Sequence, residues 1–182
     1  MKIPLKKLLI PTITAITVLF SLLTGSCNRD KCKTVVCAYN GVCNGGACIC
    51  QSGYEGSNCE TITRNKYLGN WTVFEKGSTS TAAQYQLSII AADDITKVAI
   101  VNFNNYFTHL IMATVVGDSI YIPNQQFNGK VTFGVGYIYS NVTYGQFGSM
   151  SVSYEVIDTA TLRVDDYGYY AEDLSDPSSW NK

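Results

Sequence analysis

The chain has 182 residues, a net charge of −1, a single histidine and seven cysteines. It holds no basic cluster of the kind that reads phosphates, so nucleic acid is excluded as an expected partner. Its hydrophobic content is ample for a core, while seven cysteines in a chain this short point to an exported, oxidised protein.

The first segment carries Lys2, Lys6 and Lys7, then an uncharged apolar run from Leu8 to Leu23, then the small residues Thr24-Gly25-Ser26 before Cys27. A basic start, an apolar stretch and small residues form the plan of an export signal over residues 1–26. Six cysteines lie together further on, which leaves Cys27 as the odd one, and an odd thiol in an exported protein needs an explanation. The stretch Leu23-Thr24-Gly25-Ser26-Cys27 resembles the lipobox of bacterial lipoproteins, with Leu23 one place early and Ser26 where Gly or Ala is usual. The resemblance implies a lipid-modified Cys27, followed by a tether over residues 27–31. The alternatives are an ordinary signal-peptidase site or a retained apolar helix, and neither accounts for the seventh cysteine. Removal of residues 1–26, with three lysines and no acid, leaves 156 residues with ten basic and fourteen acidic groups, a net charge of about −4. Asn28 after Cys27 lacks the Asp that resembles an inner-membrane retention signal. The expected location is therefore the outer membrane of a Gram-negative bacterium, on its periplasmic or surface face.

The next block reads Cys32-x4-Cys37-x5-Cys43-x4-Cys48-x-Cys50-x8-Cys59. Spacing by itself leaves the pairing open. The stretch Cys48-Ile49-Cys50-Gln51-Ser52-Gly53-Tyr54-Glu55-Gly56-Ser57-Asn58-Cys59 resembles the C-terminal half of an EGF-like domain. For residues 32–59 that resemblance implies the disulfides Cys32–Cys43, Cys37–Cys48 and Cys50–Cys59. Val35, Val36, Val42 and Ile49 are too few to form a core, so the bridges must hold the module together. Zinc bound by these thiolates would not suit an oxidising compartment. Calcium is not expected either: Asn28-Arg29-Asp30-Lys31 offers one carboxylate between two cations, and calcium needs several converging oxygens.

Residues 60–66 read as a polar linker, and residues 67–182 as a second domain without cysteine. Turn signals at Gly117-Asp118 and Asn128-Gly129 separate alternating runs. Candidate strands are Asn70–Glu75, Gln84–Ala91, Lys97–Phe103, Leu110–Val116, Ser119–Ile122, Val131–Tyr139, Ser149–Val156 and Thr161–Val164. In the sixth, Val131, Phe133, Val135, Tyr137 and Tyr139 share the apolar face, with Lys130, Thr132, Gly134 and Gly136 on the wet side. In the seventh, Met150, Val152, Tyr154 and Val156 face inward. The fold class is thus mainly β: a small disulfide-stapled EGF-like module followed by an antiparallel β-barrel or sandwich of about eight strands. Gly69-Asn70-Trp71 at the start of the first strand resembles the opening of lipocalin and avidin-type barrels, where the Trp plugs the floor.

No catalytic residue and no cofactor or metal site is expected. His109 has no partner in a nucleophile motif and reads as a polar residue at a strand start. Asp93-Asp94 and Asp165-Asp166 are adjacent acids; on a strand such neighbours point to opposite faces, and Asp93-Asp94 reads as a solvated turn. Eleven tyrosines from Tyr67 onward suit strands, and they also suit binding surfaces. Trp71, Tyr137, Tyr139 and Tyr154 are the candidates for a ligand pocket. Two functions follow: a non-enzymatic, membrane-tethered protein that displays its domains to a protein or glycan, or a lipocalin-like carrier of a small apolar ligand.

Overall fold

The computed structural model describes residues 30–139, 148–170 and 175–182. Cys27 and residues 1–26, expected to be an export signal, lie outside the described residues.

In the N-terminal module, β1 (Val42–Asn44) pairs with β2 (Ala47–Ile49), and β3 (Tyr54–Glu55) with β4 (Thr61–Ile62). Three disulfides join Cys32 to Cys43, Cys37 to Cys48 and Cys50 to Cys59. Val36, Val42 and Ile49 are exposed, and Cys59 is buried. Disulfides stand in for the apolar core, each contributing on the order of 2–3 kcal/mol by restricting the unfolded chain.

The rest is a closed antiparallel barrel. Its strands are β5 (Gly69–Glu75), β6 (Ala83–Ala91), β7 (Lys97–Val101), β8 (Ile111–Val116), β9 (Ser119–Phe127), β10 (Lys130–Ile138), β11 (Ser149–Asp158), β12 (Val164–Tyr167) and β13 (Ser178–Asn181). From β5 to β11 each strand pairs with the next. The last position is shared: β12 and β13 both lie along the free edge of β11, and β13 closes the ring on β5. The hairpin at Asn128-Gly129 has positive φ at both residues, as its two-residue turn requires.

Three expectations need correction. The stretch Lys97–Phe103 is not all strand: β7 stops at Val101, because Asn102 turns left-handed (φ 62°) and Phe103 folds inward. Thr161 ends a turn that starts at Thr159, and the strand expected at Thr161–Val164 begins only at Val164. The faces of β10 are the reverse of the pattern expected. Thr132, Gly134, Gly136 and Ile138 face the interior, and Tyr137 and Tyr139 are more than half exposed on the outside. The cause is cross-strand register. Gly134 stands between Tyr154 and Ile122, both inward and buried. A Cβ on Gly134 would lie 2.5 Å from the Cβ of Tyr154, so the glycine gives the tyrosine its room.

The module seats on the end of the barrel formed by the β6–β7 and β8–β9 turns. Of residues 60–66, all but Glu60 belong to β4 or to a 3₁₀ turn (Thr63–Lys66). Arg64 Nη1 donates to the carbonyls of Ala92 (2.6 Å) and Asp94 (2.8 Å). Lys66 Nζ bridges Glu55 of the module (2.9 Å) and Asp118 of the β8–β9 turn (2.6 Å). Ile95 packs against the close face of Gly53. This end of the barrel is shut. Trp71 is fully buried there and donates Nε1–H to the carbonyl of Tyr67 (2.8 Å), and Lys182 lies 4.7 Å from its ring centre.

Candidate functional site at the open end of the barrel

The interior is filled with side chains above that floor. Phe103 enters from the β7–β8 connection and packs against Tyr154, Trp180 and Phe107. All four are at most 1% exposed. Left-handed backbone at Asn102, Asn104 and Asn105 lets the chain coil tightly enough to place Phe103 inside; asparagine tolerates this conformation better than most residues. The segment works as a plug.

Above the plug lies a polar network centred on Glu75, the last residue of β5. Its Oε1 accepts hydrogen bonds from Tyr85 (2.9 Å) and Asn104 (3.3 Å), and its Oε2 from Tyr154 (2.7 Å) and Ser178 (2.7 Å). Asn104 Nδ2 is also within reach of the hydroxyls of Tyr154 and Tyr167. Ser178 accepts from Trp180 Nε1. A buried carboxylate needs such donors to replace water. Burial, followed by the Glu75 charge, pushes the Tyr85 hydroxyl far up. Burial also raises Tyr154, and it raises Tyr167 to about 12.

The network forms the floor of a cavity of about 620 Å³ that opens away from the N-terminal module. Four connections make its rim: β5–β6, β7–β8, β9–β10 and β11–β12. Their conformations are pinned locally. Asp158 Oδ1 accepts the N–H of Ala160 and of Thr161, and its Oδ2 meets Lys130 Nζ at 3.3 Å. Those bonds, chiefly from Thr161, hold the Asp158 carboxyl down to about 2. Asp165 Oδ1 accepts the N–H of Thr79 and Ser80, and its Oδ2 accepts the Tyr167 hydroxyl. Burial opposes ionisation of Asp165, and these donors outweigh it, holding the carboxyl below its ordinary value. Lys130 also stands 5.1 Å from the centre of the Tyr106 ring, which is 42% exposed.

Of the four residues proposed for a pocket, Trp71 and Tyr154 are inside the barrel, at its floor and within the network. Tyr137 and Tyr139 are outside, and none of the four lines the cavity itself. His109 stacks on Phe127 at 4.9 Å. Asp94 caps its own turn by accepting from Thr96, while Asp165 and Asp166 diverge: Asp166 is buried and accepts from the N–H groups of Gly168, Tyr169 and Tyr170. Sequence reasoning missed Glu75, Tyr85, Asn104 and Tyr167. Glu at a strand end reads as solvated, and only the Asn-rich stretch Asn102-Phe103-Asn104-Asn105 hinted at unusual backbone.

Residues 34–61 match the family model of the Teneurin-like EGF domain. That segment runs from the start of the stapled module into β4, so the match bears on the module and leaves the barrel unassigned. No curated protein and no solved structure matches the chain.

Proposed function

We propose that this chain is a non-catalytic lipoprotein, held to a membrane by lipid on Cys27, that presents its EGF-like module and barrel for recognition of a protein or a glycan. The observation that carries the recognition reading is the filled interior. Trp71, Phe103, Phe107, Tyr154 and Trp180 occupy the space that a carrier of an apolar ligand would need, and the cavity left at the mouth is edged by polar groups. The alternative of a small apolar ligand therefore finds little support. The display reading draws on the joint: Arg64 and Lys66 fix the module to the shut end, so the mouth points away from the side on which the chain enters. The lipid reading draws on cysteine pairing, since the six cysteines from Cys32 to Cys59 satisfy one another and leave Cys27 without a disulfide partner in the chain. The test is palmitate labelling in a Gram-negative host followed by membrane fractionation. Label and membrane association that both disappear in Cys27→Ala support the reading. A chain cleaved elsewhere and released without lipid overturns it.

A further inference from the structure

Resting on the recognition reading above, we propose that the barrel mouth is a binding site for a neutral saccharide of one or two rings. The cavity, about 620 Å³, falls within the roughly 300–1,000 Å³ usual for small-molecule sites. Its chemistry narrows the ligand class. Three carboxylates, Glu75, Asp158 and Asp165, line it against two cations, Lys130 and Arg163, which disfavours a phosphate or other anion. Each carboxylate already holds at least three protein donors, so the lining offers single remaining acceptor positions rather than the converging free carboxylate oxygens that would hold an organic cation. An aliphatic ligand would strip water from these groups without replacing its hydrogen bonds.

A sugar answers each of these conditions. Its hydroxyls donate to the acceptor positions left on Asp158 and Asp165 and accept from Lys130 or from rim amides and hydroxyls, and hydrogen bonds to charged groups are the stronger ones. Its C–H faces need aromatic surface, which Tyr106, with Tyr85 beside it, supplies at the wall. The rim is also tied together by its own hydrogen bonds before any ligand arrives. Asp165 ties the β5–β6 loop to β12, and Asp158 ties its own turn to Lys130 across the hairpin. A preformed site loses little entropy when it closes on a ligand, which suits weakly held sugars.

The test is calorimetric titration of the full chain in detergent with cellobiose, maltose and N,N′-diacetylchitobiose, alongside inorganic phosphate, choline and decanoate. The expected result is saturable binding of at least one disaccharide and of none of the other three. Thr81→Trp and Thr161→Trp fill the mouth from the neighbouring β5–β6 and β11–β12 loops, at exposed positions outside the Glu75 network, and each weakens that binding at least about tenfold. Tyr137→Ser, on the outer wall, leaves it unchanged. Circular dichroism of every variant separates a filled site from a failed fold, and either tryptophan variant alone suffices. No binding by any disaccharide in the tens of millimolar, or binding that survives both fillings, overturns the proposal. Preferential binding of phosphate, choline or decanoate does the same. Failure of the display reading is recognised separately, by an unlipidated Cys27 in the palmitate experiment.

Discussion

The donors around the Glu75 carboxylate come from β6, the β7–β8 connection, β11 and β13, so one side chain joins segments up to 103 residues apart. Glu75→Ala would leave buried hydroxyls and an amide without their acceptor. It should cost about 3 kcal/mol or more in denaturant unfolding, whereas Glu75→Gln, which keeps an acceptor oxygen, should cost clearly less. The neighbouring tyrosines set the alkaline limit. Tyr167 is raised from 10.0 to about 12, and Tyr67, Tyr85 and Tyr154 are raised further, in each case first by burial. The folded state therefore favours their protonated forms. Their contribution to stability is complete below about pH 10 and is lost as pH rises through 12 and beyond. A tyrosinate absorbance titration should show a late component that coincides with loss of near-ultraviolet dichroism; full ionisation in a still-folded protein would contradict this. Gly134→Ala should destabilise by about 1–3 kcal/mol in thermal or denaturant melts, because its methyl group would press on Tyr154. At this scale the sequence was legible where a residue acts alone. Trp71 reads as a buried plug from its place beside Gly69. Glu75 does not, because its meaning lies in four partners that only the closed barrel assembles.

Among the elements, alternation placed seven of the barrel strands, and turn chemistry placed both two-residue hairpins. The exceptions have local causes. The strand expected over Ser119–Ile122 runs on through Pro123 to Phe127 as β9. The proline sits where the β9–β10 register shifts, between Ile122 opposite Gly134 and Gln125 opposite Thr132, so its missing N–H costs no ladder bond there. Gln125 then extends the edge with its side chain: it accepts from Met112 N–H and donates to Met112 C=O, both at 2.8 Å. Gln125→Ala should lower stability by about 1–2 kcal/mol and speed hydrogen exchange at the Met112 amide. An unchanged exchange rate there would show that the side chain does not serve as ladder. The closing strand β13 was illegible, since Ser178-Ser179-Trp180-Asn181 is short and polar and earns its place only by bonding two other strands at once. The inverted faces of β10 teach the converse. Apolar alternation identifies a strand, but where one wall must carry glycine to make room for Tyr154, it does not tell which side is inside.

On the scale of the whole molecule, the order of module and barrel could be read from cysteine spacing and from the change in composition after it. The joint could not, because residues 60–66 look like any polar bridge. They are instead a seat, with Lys66 shared between Glu55 and Asp118 and Arg64 holding the β6–β7 turn. The paired substitutions Arg64→Ala and Lys66→Ala should leave the barrel folded. Partly exposed ion pairs contribute only about 0–1 kcal/mol each, so the change should instead appear as a broader range of module orientations in small-angle scattering. A joint of this kind is what the proposed display role would require. The account as a whole rests on a shut, filled barrel that recognises ligands at its mouth and carries none inside. A native mass spectrum of the protein extracted gently from its own membrane, followed by a denatured spectrum of the same sample, tests that most directly. The predicted result is a chain beginning at Cys27, heavier by acyl groups and lighter by the six hydrogens of three disulfides, with no apolar molecule released on denaturation. A stoichiometric apolar ligand that leaves only when the barrel unfolds would contradict the account and make the protein a carrier.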